Sequence, residues 1–288
     1  MKPAPFEYLR PRSLGEAAVM LEQGGEGAQI LAGGQSLIPT LSLRLARPSV
    51  LIDINRVEDS AALAEQGGTL RCGARVRHVE LEHSALTRRC APLLAMAMPH
   101  VAHPAIRNRG TPCGSVALAD PAAEIPACAL ALNAQIMLQS AKGTRSVLAE
   151  NYFLRLYETA RTPSEVVAEL RFPVALAHER FGFIEFARRH GDFAIVGIAV
   201  AARLEGTSVA ALRLVIFGCE PIPRVSAAAA KLAAGCDYRD LPVRQIAEAV
   251  ASELDPMENA QGDAHSKRRQ ARALTARVLT HMLAGEST

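Results

Sequence analysis

The sequence predicts an α+β protein: two mixed α/β units in the first 175 residues, then an antiparallel sheet with helices. Three observations predict it. Helix and strand signals alternate in short segments up to about residue 58. A glycine pair, Gly67 and Gly68, opens a second run of strands and helices that closes at Pro173. Beyond it, three apolar segments separated by glycine and charge read as antiparallel strands, and helical periodicity ends the chain. At 288 residues and about 100–200 residues per domain, two or three units are expected, and we place them at 1–58, 59–175 and 176–288.

Each element has a local reason. Ser13 followed by Glu16 is a capping-box pattern leading into Ala17, Ala18, Val19, Met20 and Leu21, hence a first helix ended by Gly24 and Gly25. Residues 28–32 are a small apolar strand, and Gly33 and Gly34 turn it into a helix over about 36–45; residues 50–54 are a buried strand. Residues 69–74 follow the hairpin turn as a strand, and 79–86 and 91–98 read as helices. Between Pro99 and Pro104 and onward, residues 100–115 are polar and proline-interrupted, which predicts an irregular stretch outside the core. A helix over 126–133 leads into a hairpin, 134–138 and 144–148, and a strand over 166–172. Segments 181–187, 193–203 and 210–218 are the antiparallel strands, although 195–202 also suits a buried helix. Two or three helices follow, the last from Ser266 with Leu274, Val278, Met282 and Leu283 on one face.

Composition narrows the function classes. Thirty-two basic against 29 acidic residues give a net charge of +3, and aromatics are 4% with no Trp. A polyanion partner needs a stronger field, and single-stranded nucleic acid needs stacking rings among basic side chains, so no nucleic acid is expected. The cysteines, Cys72, Cys90, Cys113, Cys128, Cys219 and Cys236, form no C-x-x-C pair, which excludes a zinc ribbon or an iron–sulfur cluster of that spacing and reads as reduced thiols. The opening residues lack an apolar signal core, and the longest apolar run, 193–202, is too short for a bilayer. The expectation is a cytoplasmic protein without a membrane span.

Two glycine-bearing loops stand out. The first, Leu31, Ala32, Gly33, Gly34, Gln35, Ser36, Leu37 and Ile38, joins a strand to a helix start, where free N–H groups and the helix dipole favour an anion. It is neither a Walker A loop nor a Rossmann fingerprint, and an ordinary strand-to-helix turn is the alternative. The second holds Arg107, Asn108, Arg109, Gly110, Thr111, Pro112, Cys113, Gly114 and Ser115, followed by Asp120, Pro121 and Glu124. Its hydroxyls and glycines suit the far side of a pyrophosphate, with Glu124 as acceptor for a ribose; a surface loop with solvated Arg107 and Arg109 is the alternative.

These loops, together with Leu43 to Pro48, with Leu51, Ile52, Asp53, Ile54 and Asn55, and with Ala187 to Ala194, carry a resemblance over essentially the whole chain. The sequence resembles the FAD-binding medium subunits of molybdenum hydroxylases, the relatives of carbon monoxide dehydrogenase, quinoline oxidoreductase and xanthine dehydrogenase. The resemblance implies a PCMH-type FAD-binding domain made of the two N-terminal subdomains. It implies that Ile30, Leu31, Ala32, Gly33, Gly34, Gln35, Ser36 and Leu37 wrap the pyrophosphate, with Thr111, Gly114 and Ser115 as the second wall and Asp120 nearby. Glu124 corresponds to an acidic residue near the adenosine ribose, Val101 and Ala102 to positions near the flavin or ribityl chain, Val167 to one near the adenine, and Phe193 to a frequent Tyr close to the isoalloxazine. Function follows as electron transfer: a large subunit with the molybdenum cofactor, a small subunit with two [2Fe-2S] clusters, and this chain's FAD delivering electrons to an external acceptor. No catalytic or metal-ligating residue is assigned here.

One departure prompts other readings. Relatives carry glycine where Cys113 stands and an aliphatic residue where Pro112 stands. Loss of a backbone donor and gain of a Cβ would weaken flavin binding if either faced the phosphate. The alternatives are thus a nucleotide- or partner-binding module that has lost flavin, or a stand-alone FAD oxidoreductase. Cys113 itself reads either as a reactive thiol beside Arg109 and a helix start or as an inert loop cysteine. His100 and His103 are an H-x-x-H pair, but Pro99 and Pro104 break the helix that would align them on a metal. Lys267, Arg268 and Arg269 read as a solvated helix face, with a partner surface as the rival.

Overall fold

The computed structural model describes residues 2–284. Its first sheet is parallel, with strands in the order Glu7–Leu9, Val50–Asp53, Ala28–Leu31. Helix Leu14–Gly24 packs on it through Leu14, Ala17, Ala18 and Leu21. Ser13 caps this helix by accepting the Glu16 N–H at 3.1 Å, and Glu16 accepts the Arg12 N–H in return. The predicted helix over 36–45 is shorter, Leu37–Ser42, because the chain turns left-handed at Arg44, φ +59°.

The second sheet is antiparallel, in the order Leu63–Gln66, Thr69–Gly73, Val166–Pro173, Gln135–Ser140, Gly143–Leu148. Gly67 and Gly68 both take positive φ, which the two-residue hairpin requires. Three helices follow the hairpin, His78–His83, Ala85–Cys90 and Pro92–Ala97, and Ala85–Cys90 packs on its two strands. Ser84 breaks the predicted helix over 79–86 by capping the next one, accepting from the Leu86 and Thr87 N–H groups.

Residues 100–115 are not an irregular surface stretch. They hold helix Pro104–Arg107 and lead into helix Pro112–Leu118, with Arg107, Thr111, Pro112 and Cys113 buried. Each proline sits at a first helical position, where its missing N–H has no intrahelical use. The Arg107 charge is tolerated because Glu82 lies 2.7 Å away. The next helix, Glu124–Ala131, is buried along its whole length.

The third sheet is antiparallel, in the order Glu179–Phe186, Val196–Glu205, Ser208–Phe217, Arg224–Val225, so the segment read as 195–202 is strand from Val196 onward and not helix. Both faces of its centre are covered. Ala199, Val215 and Phe217 join the core formed with the first two sheets, while Ile198, Val200, Leu214 and Ile216 join a second core. Helices Ala227–Ala233, Val243–Glu253 and Ala264–Ala284 supply that second core. At about 1.5–3 kcal/mol per fully buried large aliphatic side chain, this sheet ties the two cores together firmly.

The last helix corrects the reading of its basic triplet. Lys267 is fully buried, its ammonium donating to Met257 O at 2.7 Å and Asn259 Oδ1 at 3.0 Å. Its neighbour Arg268 donates to Leu254 O at 3.0 Å. Lys267 and Arg268 pin the preceding loop, and Arg269 alone of the triplet is exposed. No helix among the described residues is long and apolar enough to cross a membrane.

Candidate functional site

Strand Ala28–Leu31 delivers the first glycine loop to the edge of the parallel sheet, and the loop meets the second loop backbone to backbone. A Cβ on Gly33 would collide with the Arg109 carbonyl oxygen and lie 2.7 Å from the Gly110 Cα. Gly34 has φ +71°, a conformation that costs a side-chain-bearing residue about 1–2 kcal/mol. Ser36 does not cap the short helix that follows; the Ile38 N–H is bonded within the loop to Gly34 O at 2.9 Å and Pro39 has none, which leaves the Leu37 N–H as the one first-turn donor without an intrahelical use.

A brace holds the loops in this contact. Asn55 Nδ2 donates to Ala32 O at 2.8 Å, Arg77 Nη2 donates to Asn55 Oδ1 at 2.6 Å, and Arg77 Nη1 reaches Arg109 O. The His78 N–H donates to Gly110 O at 3.0 Å. Burial and the like charges of Arg109 and Arg75 lower the Arg77 pKa from its ordinary value. These cations therefore crowd behind the loops.

Two cavities adjoin the loops. The larger, about 430 Å³, is lined by Ala32, Gly33, Gly34, Gln35, Ser36 and Leu37 on one side and by Thr111, Gly114, Ser115, Asp120 and Glu124 on the other. Its volume lies in the range of small-molecule sites. Val101, Ala102 and Phe193 also line it. The second, about 320 Å³, contains Ile30 and Val167 and shares Gln29, Ala32, Gly114 and Ala117 with the first. Of the residues that the resemblance assigns to FAD, Leu31 alone lines neither. Glu124 lies with Val101, Ala102 and Phe193, not with Val167.

The walls are fixed by distant parts of the chain. Arg107 donates to Val101 O at 3.0 Å and Ala102 O at 2.9 Å, holding a segment where Ala102 takes φ +46°. Gly191, φ +83°, comes so near that a Cβ would be 2.8 Å from Ala102 O. This approach brings Phe193, 55% exposed, to the cavity. Asp120 is bonded by the Tyr157 hydroxyl at 3.0 Å and by the Ala122 N–H. Glu124 is buried without a cation; desolvation, with the negative charges of Glu185 and Asp120, raises its pKa to about 8.

The departure at Pro112 and Cys113 stays clear of the larger cavity, although Cys113 lines the smaller one. Thr111 caps helix Pro112–Leu118 by accepting the Gly114 N–H at 3.0 Å, and Pro112 occupies its first position. Cys113 Sγ points to Cys72 O at 3.5 Å and lies in the core. Burial pushes its thiol pKa up, with Glu169 adding to the shift, which overturns the reactive-thiol reading. The solvated reading of Arg107 is overturned as well, for Arg107 is buried. His100 faces Glu185, with Nδ1 3.4 Å from its carboxylate, and no cluster of three or more metal-ligating side chains occurs among the described residues.

Sequence reasoning missed His78, Ile106, Leu118 and Gly191, all of which line the larger cavity. Gly191 and Asp192 precede Phe193 in a segment already singled out; His78 carried no local signal.

Residues 4–175 match the family described as FAD binding domain in molybdopterin dehydrogenase, and residues 182–282 match the CO dehydrogenase flavoprotein C-terminal domain. The chain is 34% identical to the carbon monoxide dehydrogenase medium chain of Hydrogenophaga pseudoflava over 97% of each chain. It is 36% identical to the caffeine dehydrogenase subunit beta of Pseudomonas sp. (strain CBB1), over 97% of this chain and 95% of that one. Among solved structures, it matches a carbon monoxide dehydrogenase from Hydrogenophaga pseudoflava that lacks the Mo-pyranopterin moiety of the molybdenum cofactor, with TM-score 0.95 and 36% identity over 99% of each chain. It also matches quinoline 2-oxidoreductase from Pseudomonas putida 86, with TM-score 0.92 and 33% identity over 100% of each chain.

Proposed function

Because the chain belongs to the family of FAD-binding medium subunits of molybdenum hydroxylases, we propose that its FAD passes electrons from the [2Fe-2S] clusters of a small subunit to an external acceptor. A large subunit carrying the molybdenum cofactor completes the complex, and the cytoplasm is its compartment. The observation that carries the reading is the backbone contact of the two glycine loops, with a cavity on each side of the shared residues Ala32 and Gly114.

The residues fit a two-ended dinucleotide. A side chain at Gly33 would push the loops apart, and the positive charge of Arg77, beside Arg109 and Arg75, favours an anion there. Ala32 to Leu37, with Thr111, Gly114 and Ser115, would hold the pyrophosphate. Ile30 and Val167 would meet the adenine end, and Val101, Ala102 and Phe193 the flavin end, with Asp120 and Glu124 offering carboxyl oxygens to hydroxyl groups. When bound, FAD supplies one- and two-electron transfer. The chain positions it and excludes water along the Val101 wall. In this division 1–58 and 59–175 build most of the FAD site, and 176–288 packs behind them while lending Gly191, Asp192 and Phe193 to one wall. The chain would serve as the electron-relay component, its substrate chosen by another subunit.

Native purification tests the reading. The complex should show flavin absorption, release FAD on denaturation, and contain two further subunits. A colourless complex whose apoprotein takes up no added FAD would overturn it. Turnover of an organic substrate by the isolated chain would instead favour a stand-alone oxidoreductase.

A further inference from the structure

His78 is a buried titratable group to which the reading above gives no role. It opens helix His78–His83, is 5% exposed and lines the larger cavity. One edge of its ring, Cδ2 and Nε2, lies against Gly110, where a Cβ would be 2.8 Å and 3.2 Å from those atoms. Gly110 lines the same cavity, and φ there is not positive, so glycine is needed for the space it leaves over the ring edge. The other nitrogen, Nδ1, is buried and bonds nothing.

The chemistry of the ring follows from these surroundings. A proton on Nδ1 would be a buried donor without a partner, at a cost of about 1–3 kcal/mol. The proton of the neutral ring therefore belongs on Nε2, the nitrogen at the Gly110 edge. Neutrality is also enforced: burial, then the positive charges of Arg107 and Arg77, lowers the His78 pKa to about 4. Of the carboxylates on its own helix, Glu82 is bonded by Arg107 and Glu80 by the Arg77 N–H, so neither draws a second proton to the ring.

We propose that His78 is a ligand of the dinucleotide, its neutral imidazole donating the Nε2–H to a phosphate oxygen where the two glycine loops touch. The assignment rests on the FAD reading of the cavity. Gly110 places the donor there, since the same residue lies under Gly33. His78 thereby adds a side-chain donor to a site otherwise served by backbone N–H groups and hydroxyls.

The test exploits amide geometry: glutamine can set its NH2 near the position of Nε2, whereas asparagine reaches only that of Nδ1. FAD affinity of the flavin-stripped full chain is measured by fluorescence for wild type, His78→Gln, His78→Asn and His78→Phe. Gln should stay within about threefold of wild type, and Asn and Phe should each weaken binding tenfold or more. Nitrogen-15 spectra of histidine-labelled wild type supply a readout independent of any variant. They should show the Nε2–H tautomer of His78 without FAD and a shift of that nitrogen on FAD addition. Wild-type affinity in the Phe variant, or an Nδ1–H tautomer, would overturn the assignment. Wild type that binds no FAD at all would overturn the FAD reading instead.

Discussion

The carbonyl of Arg109 occupies the space that any side chain at Gly33 would need. Two loops far apart in the chain, 31–38 and 107–115, are thereby held at backbone distance. Gly33→Ala should separate them at a cost of about 1–3 kcal/mol, lowering FAD affinity about 10–100-fold. Equilibrium flavin binding with a parallel melting curve checks it; unchanged affinity would contradict the close-contact account.

Cys113 should behave as core, not as a reactive loop thiol. Of the six free cysteines only Cys236 is part-exposed, so alkylation of the native protein should label Cys236 and spare Cys113. Peptide mass spectrometry reads the sites. Cys113→Gly should cost about 1–2 kcal/mol through lost burial and helix propensity, with FAD affinity unchanged.

Two buried groups give the FAD-free protein opposite pH limbs. Glu124 titrates near 8 when folded and near ~4.3 when unfolded. Between those values the folded state holds a proton that the unfolded chain has released, so this contribution is complete below the unfolded value and is lost as pH rises through 8. His78, lowered to about 4, contributes stability that is present above its unfolded value of ~6.5 and lost as pH falls through 4. Melting temperatures between pH 6 and 9 should therefore fall with pH in wild type, and Glu124→Gln should flatten the fall, by on the order of 2–4 kcal/mol at pH 8. A variant that keeps the wild-type slope would show that Glu124 is not its source.

Lys267 should be sensitive to truncation despite its place in a basic run. Lys267→Ala leaves Met257 O and Asn259 Oδ1 without their donor and opens a buried void, costing about 2–4 kcal/mol. Chemical denaturation measures it, and Arg269→Ala, two residues on and exposed, should change stability by less than about 0.5 kcal/mol.

Much of this molecule is legible from sequence because its signals are local. Ser13 and Glu16 mark a helix start through their own hydrogen bonds, and Gly67 with Gly68 specifies a hairpin through backbone conformation. The glycine loops were likewise visible as loops. What was illegible depends on partners far along the chain. Arg107 reads as a solvated cation until Glu82 and the carbonyls of Val101 and Ala102 surround it. Residues 195–202 lack alternation because the strand is covered on both faces, which erases the period that separates strand from helix. His78 has no motif at all; only the fold sets it beside Gly110.

Gly191 rests against the carbonyl of Ala102 and brings Phe193 with it, so the wall beside Val101 is finished by residues near position 190. During synthesis both glycine loops emerge from the ribosome long before that wall exists. A fragment ending near residue 175 would consequently lack the Gly191, Asp192 and Phe193 part of the lining and leave the Val101 wall open to solvent.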